Sequence, residues 1–476
     1  MLFLYIKNAS QFLISDLNEN QLYLRKIALE ALEKSIEAVR PKNLIEKSIR
    51  IQSNKLLIHN DEYNLEKYKK VYIIGGGKAA AEMAFSLEKI LHTIQVIIYE
   101  GIINIPKGTA TLEQINTSRV SINYASHPIP DENGLKGVKF MMEIVEKSDQ
   151  NDLIICLISG GGSALLPFPK KGISLRDLQN LNSLLLASGT SIHEINTIRK
   201  HISEFKGGNL ARKIYSIGNT TLISLVISDV VGDNLDSIAS GPTVADTTTF
   251  KDALRILKNY GILGDIPFSI RKVLENGAKN IELENPKPND ICFKSVHNYL
   301  IGSVKSAVIE ITSFLKKHGF EITYFSDEIT GEAQTFGKSL YNVISQKIES
   351  ITLSEGNDKQ ALIGTGELTV TLKGKGKGGR NQEMLLSFLN YVKDKEINYD
   401  FLIIGCNLDG IEGNSEAMGA LIDNYLLNQL NEKNINLKKF LDDNDSYSFF
   451  KTQKSELITG LTGCNVNDLI LILTSR

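Results

Sequence analysis

The chain has 476 residues, of which 42% are hydrophobic and 23% charged, with a formal net charge of −2. That length exceeds one ordinary hydrophobic core and predicts two or three globular domains. The near-neutral balance excludes general nucleic-acid binding, which needs a clearly basic surface. Cys156, Cys292, Cys406 and Cys464 are scattered, with no paired-cysteine or cysteine–histidine cluster. They read as buried thiols in a reducing compartment rather than a zinc site. The apolar start, Met1 to Ile6, is too short for a signal h-region, and no stretch reaches membrane-span length. A cytoplasmic protein with no membrane partner is expected.

In chain order, Leu22, Leu24, Ile27, Leu29, Leu32 and Ile36 fall at helical spacing within residues 20–50. Val71–Ile74 reads as a buried strand, followed by the turn Gly75-Gly76-Gly77-Lys78, a helix from Ala79 to Leu91 and a strand near 95–99 ending at Glu100. This is a first βαβ unit. A turn at Ser126-His127-Pro128 leads into a helix rich in Met141, Met142, Ile144 and Val145. The strand 153–158 then opens on Ser159-Gly160-Gly161-Gly162-Ser163. A mostly helical insertion, 174–216, precedes the strand 222–227 and Ser228-Asp229-Val230-Val231-Gly232-Asp233. Glu284 to Asp290 carries two prolines and no apolar residue, so the domain boundary is placed there, giving domains 1–285 and 291–476. Beyond it the alternation resumes: helix 303–318, strand 321–325, helix 331–349, strand 361–364, helix 380–394, strand 401–405 and an apolar run 469–473. Both halves predict an α/β fold with largely parallel, Rossmann-like sheets and an interdomain active-site cleft.

Four strand ends carry glycine-rich turns with different chemistry. Continuous apolar runs are the signature of buried parallel strands, and the loops at their carboxyl ends hold ligands. Gly75-Gly76-Gly77-Lys78-Ala79-Ala80 fits a dinucleotide fingerprint in outline, with Glu100 as the ribose-binding acid. Lys78 suits that reading poorly, because a dinucleotide site relies on neutral backbone amides whereas a lysine reaches a phosphoryl group. Ser159 to Ser163 reads as a hydroxyl-lined anion loop more than as a nucleophile elbow, with His127, His193 and His201 as candidate bases. Asp229 and Asp233 leave a buried strand as either helix caps or magnesium and hydroxyl ligands, and Ser240-Gly241-Pro242-Thr243 offers another anion turn. Lys373-Gly-Lys375-Gly-Lys377-Gly378-Gly379-Arg380 alternates cations with glycine before a helix, as a flexible loop closing over phosphates would. Asp409 and Glu412 collect acid at a further strand end.

Taken together, GGGKAAAEM (75–83), SHPIPDENG (126–134), LISGGGSALL (157–166), EINTIRKHISEFKGGNLA (194–211), ISDVVGDNLDSIASGPT (227–243), GELTVTLKGKGKGGRNQE (366–383) and TGLTGCNVNDL (459–469) resemble the type II glycerate 2-kinases. The resemblance runs from about residue 70 to the end. It implies an N-terminal kinase domain, a C-terminal MOFRL domain, and ATP- and Mg2+-dependent phosphorylation of D-glycerate at its 2-hydroxyl. By motif it implies Lys78, Asp229 and Arg380 as catalytic residues. Gly76, Gly77, Lys375, Gly378, Gly379, Asn381 and Glu367 would hold the nucleotide, the loop Ser159, Gly160, Gly161, Gly162 and Ser163 would bind phosphate or the glycerate carboxylate, and Asp233 or Asp409 would help hold the metal. The implied partners are a small hydroxy acid and a nucleotide, with a homodimer as a candidate assembly. The segment 406–418 departs from the family pattern, with Leu408, Glu412 and Met418 where threonine, aspartate and alanine are usual. Two rival readings follow from the residues: an NAD(P)H-dependent hydroxypyruvate reductase and a non-catalytic metabolite-binding homologue.

Overall fold

The computed structural model describes residues 3–94, 98–117, 119–352, 358–433 and 435–475. The chain forms two compact units, Pro41–Gly302, and Met1–Arg40 together with Ser303–Arg476. The first begins with a small antiparallel sheet of β1 (Ile49–Gln52), β2 (Lys55–Ile58) and β3 (Asp61–Asn64). Its main sheet has six parallel strands: β4 (Lys70–Gly76), β5 (Ile98–Ile105), β6 (Val120–Tyr124), β7 (Asp152–Ile158), β8 (Thr221–Ile227) and β9 (Val296–Gly302). Their spatial order is β6-β5-β4-β7-β8-β9. The chain moves outward from β4 through β5 and β6, then resumes on the other side of β4 with β7, β8 and β9. This is the doubly wound order, and its switch point, the preferred ligand crevice of such sheets, lies beyond the carboxyl ends of β4 and β7. Every residue of β7 is buried, and only the first of β4 and of β8 is not. Strands covered on both faces have no reason to alternate polar and apolar residues.

Four features differ from the sequence expectations. Of the strand read near 95–99, residues 95–97 lie outside the described residues, and β5 runs on to Ile105. Glu100 therefore sits near the start of β5, opposite Tyr72, with Lys70 at 3.8 Å. It lies far along the strand from Gly76, whose partner is Asn104. An acid placed there does not meet a ribose held at the Gly75–Lys78 turn, so the dinucleotide reading loses its second element.

The stretch 284–290 is not a boundary. Asn285 donates to Asp246 and accepts from Asn209, each at 2.9 Å, and Glu284 accepts from the Phe250 amide at 3.0 Å. Its two prolines shape a turn that is hydrogen-bonded into the unit, and β9 beyond it completes the parallel sheet. The helices Leu175–Ala187 and Ile192–His201 of the insertion share a core with Phe250–Asn259 and Phe268–Gly277, through Leu181, Leu185, Ile198, Phe250, Leu257 and Leu274.

The second unit holds β10 (Glu321–Glu332), β11 (Gln360–Thr369), β12 (Asp400–Asn407), β13 (Gly419–Asp423), β14 (Glu456–Leu457) and β15 (Asp468–Ser475), in the order β10-β11-β15-β12-β13-β14. Of the adjacent pairs, β10–β11 is parallel and the others are antiparallel. The sheet is mixed rather than largely parallel because the last strand inserts antiparallel between β11 and β12. The N-terminal helix Glu19–Val39 belongs to this unit rather than to a domain 1–285. Its Arg25 forms a buried two-pronged pair with Asp423, at 2.7 and 3.1 Å. Removing one partner of such a pair strands a buried charge. Arg25→Met is expected to cost about 3–5 kcal/mol in denaturant unfolding, and Arg25→Met with Asp423→Leu distinctly less. A single variant as stable as the parent would contradict this anchoring.

Candidate active site

Beyond β4 and β7 the two turns interlock. Gly75 and Gly77 take φ values of 130° and 146°, open to glycine and strained for other residues. A Cβ on Gly75 would collide with the Leu157 carbonyl oxygen, and one on Gly77 with the Ser159 hydroxyl. The Lys78 amide donates to the Gly160 carbonyl at 2.9 Å, and the Ala79 amide to Ser159 Oγ at 3.1 Å. Ser159 is fully buried, so its hydroxyl satisfies the start of helix Ala80–Leu91 rather than facing a ligand. The backbone of Lys78 is thereby fixed at the switch point.

The rest of the serine turn carries its own partners. A Cβ on Gly161 would lie 3.1 Å from the His127 ring and 3.4 Å from Lys78 Cγ, so these three positions converge. Burial, and then the positive charge of Lys78, hold the His127 imidazole below its ordinary pKa. Gly162 backs onto Ala239. Ser163 Oγ meets Ser240 Oγ at 2.9 Å, and Ser240 donates to Asn196 at 3.0 Å. One network thus joins the serine turn, the Ser240-Gly-Pro-Thr243 turn and the helix Ile192–His201. Asp229 and Asp233 are half-buried on the loop after β8. There the Val230 amide donates to Ser228 Oγ at 3.2 Å, and Asp233 takes a φ of 57°. The structure therefore gathers Lys78, His127 and the Gly160–Ser163 turn around the switch point.

Sequence reasoning named no role for Lys200, which is 2% exposed and pairs with Asp246 at 2.9 Å and Asp236 at 3.2 Å. Its place inside the long motif 194–211 was the available signal. His201 is fully buried, with Nδ1 on the Thr197 carbonyl and Nε2 facing Glu284 at 3.4 Å. It is a core residue and not a candidate base.

The residues assigned to the second unit fold differently from a mobile loop. The amides of Lys373 and Gly374 donate to Asn444, and those of Lys375 and Lys377 to Asp443 and Asp445, at 2.7–3.0 Å. A Cβ on Gly374, Gly376 or Gly378 would strike Asp443, Asp445 or Ser446. The glycines serve close backbone approach instead of hinge motion, and the Gly378 amide is already given to Asn414 at 2.8 Å. The side chains of Lys373, Lys375 and Lys377 are exposed on this fixed edge.

Arg380 donates to Asp468 at 2.6 and 2.8 Å and to Glu367 at 2.6 Å. Desolvation opposes its charge, but Asp468 and then Glu367 outweigh it and keep the guanidinium firmly protonated. Glu412, 2% exposed, accepts from the amides of Asn381 and Gln382 at 2.9 Å each and from the Asn381 side chain. Its two carboxylate oxygens, one on each amide, cap the helix Arg380–Val392. Burial, then the Asp468 charge, push its carboxyl up to about 7. A phosphate does not find these amides vacant. Asp409 is half-buried and accepts from the Val466 amide at 3.1 Å. Among the described residues no three histidines, cysteines or acids converge as a metal cluster, and no helix is long and apolar enough to cross a membrane.

The convergence of Lys78 and His127 is directly measurable. In a side-chain nitrogen–proton NMR titration, Lys78→Ala should raise the His127 midpoint, because a cation that disfavours the imidazolium has been removed. A midpoint that stays or falls would contradict the arrangement.

Residues 27–275 match a family described as a domain of unknown function, DUF4147, and residues 360–468 match the MOFRL family. The chain is 38% identical to glycerate 2-kinase from Pyrococcus horikoshii, over 95% of this chain and 98% of that protein. It is 34% identical to D-glycerate 2-kinase from Thermotoga maritima, over 94% and 98%. The crystal structure of Thermotoga maritima glycerate kinase superposes with a TM-score of 0.78 at 33% identity, covering 95% of this chain and 99% of that one. By full-length similarity and by the order of its two regions, this chain belongs to the glycerate kinase family that joins a DUF4147 region to a MOFRL region.

Proposed function

We propose that the protein transfers the γ-phosphoryl group of ATP to the 2-hydroxyl of D-glycerate, giving 2-phosphoglycerate and ADP. The observation that supports this most is a lysine whose backbone is locked into the switch point of a doubly wound sheet, beside a glycine turn and a helix start. The side chain of Lys78 supplies the charge that a transferring phosphoryl group develops on its oxygens, and a fixed donor pays little reorganisation when that charge appears. The Gly160–Gly161 part of the serine turn, beside Lys78 and His127, is assigned to meet phosphate oxygens, whereas Gly76, Gly77 and Gly162 serve close packing against Asn104, Ser159 and Ala239. The neutral imidazole of His127 avoids adding a second charge where the acceptor enters.

Asp229 is assigned to orient the attacking hydroxyl and accept its proton, and Asp233 to hold magnesium. A magnesium ion typically takes one or two protein carboxylates and completes its shell with phosphate oxygens and water. A half-buried acid such as Asp233 fits that requirement without a larger cluster. When bound, the ion would neutralise charge on the nucleotide's β- and γ-phosphates. Within its own unit Arg380, its plane fixed by Asp468 and Glu367, is assigned a phosphate-directed role, and Asp409 is assigned as an acid available to a metal. Lys375 is assigned an outer contact to the nucleotide, whereas Gly378 and Gly379 hold the segment before Arg380 and Asn381 ties the segment after it to Glu412. A reaction that draws on ATP supports assigning the protein to the cytoplasm.

The purified protein should release ADP from ATP, Mg2+ and D-glycerate in a coupled assay and should leave NADH unoxidised with hydroxypyruvate. Lys78→Ala is expected to lower kcat by about two to three orders of magnitude, the usual loss when a preorganised charge-stabilising donor is removed. Turnover near the parent's in that variant would sink the assigned role.

A further inference from the structure

The insertion between β7 and β8 contains two cations that no carboxylate neutralises. Lys206 is 5% exposed and donates to the Leu166 carbonyl at 2.6 Å. Arg199, on the helix Ile192–His201, donates through Nε and one Nη to the neutral Asn182 Oδ1 at 3.1 and 3.0 Å. Among the described residues neither forms an ion pair, whereas their neighbour Lys200 has two acids. A buried lysine and a half-buried arginine without counter-charge are costly. Burial, and then the charge of Arg199, push the Lys206 ammonium down to about 7, and burial lowers Arg199 as well. An arrangement of this kind is stabilised by whatever anion enters it.

The space for that anion is present. Arg199 and Lys206 line a cavity of about 30 Å3 together with Ser163, Asn182, Phe168 and Leu181. One water needs roughly 10–15 Å3 on this measure, so the cavity takes about two waters, or the two oxygens of a carboxylate. A nucleoside triphosphate is far too large for it. The apolar walls strengthen charge-assisted hydrogen bonds made inside. Ser163 belongs to the turn whose Gly160 carbonyl holds the Lys78 amide, which ties the cavity to the switch point. Resting on the kinase reading, we propose that this cavity receives the carboxylate of the hydroxy-acid acceptor. Arg199 and Lys206 are its counter-charges, and they set the preference for a carboxylate-bearing alcohol over an uncharged polyol.

Steady-state kinetics of the full chain test this, with D-glycerate and ATP varied separately and glycerol as the carboxylate-free acceptor. Lys206→Met and Arg199→Gln should each raise the KM for D-glycerate by about tenfold or more, the scale of one lost charge-assisted hydrogen bond, with the KM for ATP nearly unchanged. Their preference for D-glycerate over glycerol should shrink by a similar factor. Lys206→Arg, which keeps the charge, should restore most of the affinity. Formate, a bare carboxylate, should compete with D-glycerate in the parent and lose that competition in both variants. An unchanged D-glycerate KM, an equal rise in both KM values, or formate competition retained in the variants would overturn the proposal. Should Lys206→Met fail to fold, Arg199→Gln gives the same readout. Absence of glycerate turnover in the parent would remove the kinase reading alone. Calorimetric titration with formate then decides the cavity, through binding to the parent and none to Arg199→Gln, or equal binding to both, which would overturn it.

Discussion

The approach of two backbones at the ends of β4 and β7 is the constraint on which the site depends. The strands lie in register from Lys70 opposite Asp152 to Gly76 opposite Ile158, so their turns emerge side by side. Glycine at 75 and 77 allows the chains to touch where a Cβ would collide with Leu157 and Ser159. Once in contact, the turns exchange hydrogen bonds and Lys78 has no freedom at its root. Electrostatic catalysis needs charges that are already in position, since a donor that must first reorient gives back much of its advantage. The interlock of two turns is therefore a functional device as well as a packing solution.

Charge in the first unit is arranged by the same economy. Lys200 and Lys206 are six residues apart and both buried, yet one is matched by Asp236 and Asp246 while the other meets only a backbone carbonyl. The paired lysine behaves as a structural strut between the insertion and the loops after β8. The unpaired one, with Arg199, leaves net positive charge around a small cavity. In the second unit the balance is reversed, because Asp468, Glu367 and Glu412 surround the single guanidinium of Arg380. There the acids fix a cation and cap a helix.

Much of this was legible in the residues. Strands buried on both faces are written as unbroken apolar runs, which is why β4, β7, β8 and β12 were placed nearly to the residue. The turns after β4, β7 and β8 were recognisable from glycine followed by lysine, serine or aspartate, and the long motifs carried the family. What was not legible depended on partners distant in sequence. Nothing local announces that Arg25 pairs with Asp423, 398 residues away, so the N-terminal helix was assigned to the wrong unit. The prolines of 284–290 signal a turn but not whether that turn is bonded into a domain. Glycine in 374–378 has the same spelling for a hinge and for close contact, and only Asp443, Asp445 and Ser446 distinguish them. Glu100 lies near the start of β5 and not at its end because the strand continues through Gly101, whose missing Cβ admits the Ile73 carbonyl of the neighbouring strand.

The central claim is that the switch point of the first unit seats a phosphoryl group moving from a nucleotide to a secondary hydroxyl. Phosphorus NMR of the reaction of ATP, Mg2+ and D-glycerate tests it most directly, because the splitting of the product resonance counts the hydrogens on the phosphorylated carbon. The account predicts loss of the γ-phosphate signal and growth of a phosphomonoester doublet, from the single hydrogen at carbon 2. A triplet, from transfer to the primary hydroxyl, or an ATP spectrum unchanged by D-glycerate would contradict it.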